Sequence, residues 1–172
     1  MAGCFCRPIV CKARGMAEYQ PVEIRPVQPG DRAQVLALAP RLTEGVAAWR
    51  DPRAVLRAVC GWVESSLDSA GQPGHAVYVA VSEGRVAGVV TVCERAHFTG
   101  QADAYVGELA VACGLERRGI ATQLMDAAEA WAARRGLAFL TLETGAANRP
   151  ARAFYARRGY REEDVRLTRA IT

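Results

Sequence analysis

Apolar residues recur along this chain with two spacings, and each change of spacing marks a boundary between elements. Val22 to Val27 ("VEIRPV") alternates with period two, and Pro26, which cannot donate to a ladder, suits an edge strand. Val35, Leu38 and Leu42 share one helical face, with Asp31 placed to cap that helix. After the loop "TEGVAAW", Asp51-Pro52 pairs an N-cap residue with proline at the first helical position. Val55, Val59, Trp62, Val63 and Leu67 then mark a second amphipathic helix, which "AGQPG" stops. "HAVYVAV" and "RVAGVVTVCE" read as a hairpin turning at Ser82-Glu83-Gly84, and "AHFTGQ" turns the chain again into the strand "AYVGELAVA". Ile120, Leu124, Ala127, Ala128 and Trp131 keep helical spacing as far as Gly136. "LAFLTLE" is a buried strand, Asn148 and Pro150 open a short helix that Gly159 closes, and "YREEDVRLTRAI" alternates as a last strand. A hairpin run followed by strand, helix, strand, helix and strand predicts an α/β fold, with one mixed sheet and helices on both faces.

With 172 residues, 51% of them hydrophobic and 23% charged, the chain is long enough for one domain with a sizeable core and short of two. No apolar run approaches the roughly 20 residues of a membrane span, so no membrane partner is expected. No basic-then-apolar leader with a cleavage site opens the sequence, and a cytoplasmic location is the expectation. The formal charge of +4 is small and scattered, which gives no reason to expect nucleic acid. Of the 22 basic residues only Lys12 is a lysine, a bias of composition.

The six cysteines invite a disulfide or zinc reading. Cys4, Cys6 and Cys11 crowd one end, while Cys60, Cys93 and Cys113 are isolated in periodic segments. There is no paired C-x-x-C, and His75 and His97 are remote from one another, so free thiols and no metal are expected. Residues 1–18 look unlike the rest and are expected to form a flexible extension, leaving 19–172 as a single domain.

The chemistry begins at "GLERRGIATQLM", Gly114 to Met125, where two arginines run into a glycine directly ahead of a helix. Bare amides at a helix start, the positive end of its dipole and nearby cations form an anion site. Gly119 lets the backbone approach closely, and Arg117 and Arg118 add charge suited to a pyrophosphate. The stretch lacks the Gly-Lys-Ser/Thr of a P-loop and the G-x-G-x-x-G of a dinucleotide fingerprint. By itself the pattern fits an exposed basic loop as well as a phosphate cradle.

"ELAVACGLERRGIATQLM" resembles the acetyl-CoA signature of the Gcn5-related N-acetyltransferases (GNAT), Gln/Arg-x-x-Gly-x-Gly/Ala, with Glu116 departing at the first position. Downstream, "LETGAANRPARAFYARRGYRE" resembles that family's closing motif, with Asn148, Tyr155 and Gly159-Tyr160 in the matching places. The resemblance runs from about Val22 to the end of the chain. It implies a GNAT fold, in which about four helices flank a mixed, largely antiparallel sheet of six to seven strands. It also implies an acetyl-CoA-dependent N-acetyltransferase working by direct attack in a ternary complex. By the family pattern, the backbone of Leu109, Ala110 and Val111 pairs with the pantetheine arm, and the Val111 N–H donates to the thioester carbonyl. Amides of Arg117, Arg118, Gly119, Ile120, Ala121 and Thr122 take the pyrophosphate, and Asn148 holds the pantetheine from the other side. Tyr155 is implied as the acid that protonates the departing thiolate.

The general base stays open at this level. Glu143 matches the place of the base in the ribosomal-protein N-terminal acetyltransferases, and Glu108 lies on the strand where many relatives carry an acid. Several relatives carry that acid one or three residues earlier, where this chain has Gly107 and Tyr105, and strict alternation turns Glu108 to the other face. A water chain is the third option. The acceptor is a small-molecule amine, an antibiotic or polyamine for instance, or a peptide or protein amine; Glu44, Trp49, Glu94, His97 and Asp103 lie in loops that line the groove in this family. A non-catalytic acetyl-CoA sensor is the alternative, and the resemblance also allows a homodimer.

Overall fold

In a computed structural model that describes residues 22–171, the elements follow the expected order up to the last strand. They are β1 (Glu23–Pro26), α1 (Arg32–Leu36), α2 (Pro52–Asp68), β2 (His75–Ser82), β3 (Arg85–Ala96), β4 (Ala102–Val111), α3 (Ile120–Arg134), β5 (Leu140–Leu142) and α4 (Arg149–Arg157). The extension expected over residues 1–18 lies outside the described residues. Sheet order is β1-β2-β3-β4-β5. The first three pairings are antiparallel and β4–β5 is parallel, so α3 serves as the crossover between them. Pro26 closes β1 on the sheet edge, as its missing N–H requires. No helix among the described residues is long and apolar enough to cross a membrane.

Two apolar cores sandwich the sheet. Val35, Val63, Val77, Val79, Val89 and Ala110 join α1 and α2 to one face. Ala80, Val90, Val92, Ala104, Val106, Leu124, Met125, Ala128 and Trp131 join α3 to the other, where Phe154 and Tyr155 of α4 also pack. Caps set two helix starts as expected. The Asp51 carboxylate accepts from the Ala54 amide at 2.6 Å, and the Asn148 side chain accepts from the Ala151 amide at 3.2 Å.

Five expectations are corrected. The sheet has five strands among the described residues, fewer than six to seven. Residues 161–171 form no strand: Val165, Leu167 and Ile171 are 77%, 88% and 87% exposed, and alternation yields a strand only where an edge and a covered face receive it. The helix expected from Asp31 to Leu42 breaks after Leu36 and resumes as a 3-10 turn over Ala39–Thr43, with Pro40 in its first turn. Asp31 makes no side-chain cap bond to α1; its buried carboxylate accepts from Arg25 at 2.7 and 2.9 Å and from the Gln28 amide at 2.8 Å, the latter closing a capping box on the 3-10 turn Pro29–Asp31. Cys113 is disulfide-bonded, against the free thiol expected there, whereas the Cys93 thiol is free.

Candidate functional site

The parallel ladder between β4 and β5 contains only Ala104–Leu140, Tyr105–Thr141 and Val106–Leu142. Beyond those pairs the strands separate. Gly107 to Val111 form one wall of the opening, and Glu143 to Asn148 lead from β5 along the other to the start of α4. Backbone groups on these two stretches lose their ladder partners, so the opening is a place where an extended ligand can be added like a strand.

A bulge shapes the β4 wall. Val90 pairs with Leu109 but Val92 pairs with Val106, so β4 advances one residue more than β3 over the same step. The extra residue reverses the alternation. Glu108 therefore points to the same face as Tyr105, correcting the expectation that it turns away. Its carboxylate, 6% exposed, accepts from Ser66 of α2 at 2.9 Å and makes a very short hydrogen bond with Thr91 of β3. The Glu108 amide donates to the Thr91 hydroxyl at 3.0 Å. Two hydroxyl donors compensate the burial of this carboxylate.

Glu143 sits one residue past the ladder and is exposed. It pairs with Arg95 at 3.4 Å and Arg166 at 3.6 Å. The Arg95 guanidinium also lies over the Tyr105 ring, 4.5 Å from its centroid. Burial pushes the Tyr105 phenol up, and the neighbouring carboxylate of Glu143 adds to the shift while Arg95 opposes it. Tyr105 thus stands between the two candidate carboxylates. Asp103 lies on the same face, cross-strand from Arg95 and 6% exposed, and its Oδ1 has no hydrogen-bond partner among the described residues.

The cationic loop behaves as its sequence indicates. Gly114, Arg117 and Gly119 have φ of 81°, 61° and 77°, and Gly119 caps α3 in the left-handed region with no side-chain cap bond. A Cβ placed on Gly119 meets nothing within 4 Å, so the first-turn amides open outward. Successive amides in such a conformation form an anion-binding concavity. Arg117 is exposed and Arg118 half-buried beside it, while Ile120 anchors the helix start in the core.

Glu116, the departure from the signature, has partners of its own. Its Oε2 accepts from the Gly114 amide at 2.8 Å, and its Oε1 takes Arg41 Nη2 at 2.7 Å. Arg41 also reaches Glu44 at 2.5 Å and donates through Nε to the Val111 carbonyl at 3.2 Å. On the opposite wall, the Asn148 amide donates to the Glu44 carbonyl at 3.4 Å.

Tyr155, on α4, is half-buried against the α3 core, with its ring 5.3 Å from Phe154 and 5.7 Å from Tyr160. Burial alone pushes its phenol up to about 12. Arg158 clamps α4 to α3 through Asp126 at 2.7 Å and Glu129 at 2.9 Å. Sequence reasoning missed Arg41, Ser66, Thr91 and Arg95. Thr91 left a visible signal, a lone hydroxyl in the apolar run "VAGVVTVC"; Arg41 left none, because its partners are far away in sequence.

Comparison with known proteins agrees with this geometry. The family model described as "Acetyltransferase (GNAT) family" matches residues 41–160. No curated protein sequence matches the chain significantly. Among solved structures, a Pyrococcus furiosus protein described as an acetyl transferase superposes with a TM-score of 0.71 at 22% identity, covering 88% of this chain and 100% of that one. The aminoglycoside N-acetyltransferase AAC(6')-Iy in complex with CoA gives 0.66 at 19% identity, covering 90% and 98%. Glucosamine-6-phosphate N-acetyltransferase of Arabidopsis thaliana gives 0.63 at 14%, covering 89% and 100%. These identities speak for the fold alone. The family model spans both the splayed strands and the open start of α3, and on that match the chain belongs to the GNAT acetyltransferase family.

Proposed function

We propose that this protein is an acetyl-CoA-dependent N-acetyltransferase that acetylates a primary amine by direct attack in a ternary complex. The observation that carries the reading is the pairing of a splayed β4–β5 opening with the uncapped, cationic start of α3. The first offers backbone released from the β4–β5 ladder to an extended arm, and the second presents bare amides to a pyrophosphate. The residues fit the cofactor because Gly119 leaves open the space that a Cβ would fill.

Acetyl-CoA, when bound, supplies an acetyl thioester and a thiolate leaving group. The chain's own groups do the rest. Leu109, Ala110 and Val111 align the arm from β4, Asn148 holds it from the α4 side, and amides from Arg117 to Thr122 take the pyrophosphate. The Val111 N–H donates to the thioester carbonyl, where charge develops during attack. Glu143 accepts a proton from the acceptor's ammonium; its support is its exposure at the first position past the ladder, within reach of an incoming amine. Glu108 holds the bulge in place through Ser66 and Thr91. Tyr155 gives its proton to the departing sulfur, and burial keeps the phenol protonated at neutral pH.

A small-molecule amine carrying positive charge is the acceptor we favour. Glu143 places a carboxylate beside the opening, with Asp103 on the same α2 face at the other end of the β4–β5 ladder, and such groups attract ammonium. The test is thiol release from acetyl-CoA against a panel of aminoglycosides, amino sugars, polyamines and short peptides, with coenzyme A thermal shift alongside. Turnover on a polycationic small amine supports the reading. Turnover on peptides alone reassigns the acceptor. A coenzyme A shift without turnover on any amine favours the sensor, since a ligand that binds the native state must stabilise it.

A further inference from the structure

The segment Arg41 to Gly45 touches both walls of the β4–β5 opening. At one end Arg41 bonds the Val111 carbonyl on β4 and the Glu116 carboxylate of the cationic loop, at 3.2 and 2.7 Å. At the other end the Glu44 carbonyl takes the Asn148 amide at 3.4 Å. Gly45 is pressed against the β5–α4 loop: a Cβ on Gly45 falls 2.3 Å from Asn148 Cβ, and one on Gly145 falls 2.1 Å from the Gly45 carbonyl oxygen. Val111 and Asn148 are the two polar anchors assigned above to the pantetheine arm. The segment engages both of them while bridging the space between.

We infer that residues 41–45 form a strap that closes the β4–β5 opening in the free protein and must be displaced when coenzyme A enters. The inference rests on the cofactor reading above. It also accounts for Glu116: a glutamate at the first signature position, where the family has Gln or Arg, gives Arg41 an anionic partner and ties the strap to the cofactor loop. The ties are weak individually, because Arg41, Glu116 and Glu44 side chains are 26%, 39% and 55% exposed, and exposed ion pairs contribute little. The strap therefore opens readily, at a modest cost to the ligand. Apparent affinity falls by the fraction of molecules in the open state.

Two variants test this through binding, without turnover. Gly45→Ala cannot close the strap, since its Cβ collides with Asn148 and its φ of 79° disfavours a side chain. It changes no charge. Arg41→Met keeps much of the side-chain length and removes all three polar contacts. Calorimetric titration with coenzyme A at fixed ionic strength is expected to show both variants binding about three- to tenfold more tightly than the natural chain. Thermal melts without ligand confirm that each is folded. Equal or weaker binding by folded Gly45→Ala, with measurable binding by the natural chain, overturns the strap and leaves the cofactor reading standing. If none of the three proteins binds coenzyme A, the cofactor reading falls and the strap falls with it.

Discussion

Gly88 offers a quantitative check on how the sheet positions the start of α3. It lies in β3, and a methyl group added there meets the Ala110 carbonyl oxygen at 3.0 Å, Leu124 Cδ1 at 3.0 Å and Ile120 Cγ2 at 3.1 Å. All three distances are shorter than ordinary van der Waals contact, and one neighbour is backbone that cannot rotate aside. Leu124 is fully buried and Ile120 is 3% exposed, so neither side chain has free space to move into. Overpacking of this kind costs about 1–3 kcal/mol. At about 2–4 °C per kcal/mol for a chain of this size, Gly88→Ala should melt about 2–12 °C lower. The same push displaces the first turn of α3 and the β4 wall at Ala110 together, so coenzyme A affinity should fall as well. Differential scanning fluorimetry reads the first effect and calorimetric titration the second. A double-mutant cycle with Leu124→Ala sharpens the test, because removing Cδ1 relieves one of the three contacts. The double variant should be more stable than the sum of the single effects predicts, by about 0.5–3 kcal/mol. A Gly88→Ala protein that melts within about 1 °C of the natural chain, less than the minimum fall of about 2 °C set by these contacts, refutes the packing argument.

The remaining predictions concern charge and chemistry. Tyr155→Phe should lower kcat by about 10²–10⁴-fold and leave coenzyme A affinity nearly unchanged, and equal turnover removes its role as acid. Because burial pushes the Tyr155 phenol up to about 12, the rate should show no alkaline limb from this group below about pH 10. Glu143→Gln should reduce kcat with little change in melting temperature, whereas Glu108→Gln should act mainly on stability; the reverse pattern reassigns the base. Gly119→Glu should weaken coenzyme A by tenfold or more in titrations, and unchanged binding sinks the cradle. The Arg25 guanidinium beside Asp31 holds its carboxyl below the usual range. A depressed native pKa gives stability that is complete above about pH 4 and lost as pH falls through the native value. Asp31→Asn should therefore cost about 1–3 kcal/mol in urea unfolding at pH 7 and progressively less below about pH 4. An equal cost at pH 7 and pH 3 contradicts the linkage.

Much of the fold was legible because it rests on local signals. Asp51-Pro52 and Asn148-Arg149-Pro150 each combine a capping side chain with a proline in the first helical turn, and both start helices as read. The apolar spacing of Ile120, Leu124, Ala128 and Trp131 meets a sheet, and those four residues are buried. The cationic turn was legible for the same reason, since left-handed glycines and a helix start are properties of a few adjacent residues. Where a pattern needs a distant partner, the reading failed. Asp31 has the composition of a cap, yet Arg25 claims its carboxylate. Trp62 keeps the spacing of an apolar face and is 56% exposed. Val165, Leu167 and Ile171 alternate without any strand to join.

The sequence by itself determined the order of elements up to β5 and α4, the place of the helix that starts on Gly119, and the identity of the residues around the opening. Only the tertiary structure decided which way those residues point and what they touch. One extra residue in the β4–β3 register turned Glu108 toward Tyr105, and no period-two count can show where such a bulge falls. Arg41 found Glu116 and the Val111 carbonyl across the fold. Local propensity is written within a few bonds, whereas a bulge, a buried carboxylate and a strap depend on free energies shared between segments that meet only after folding.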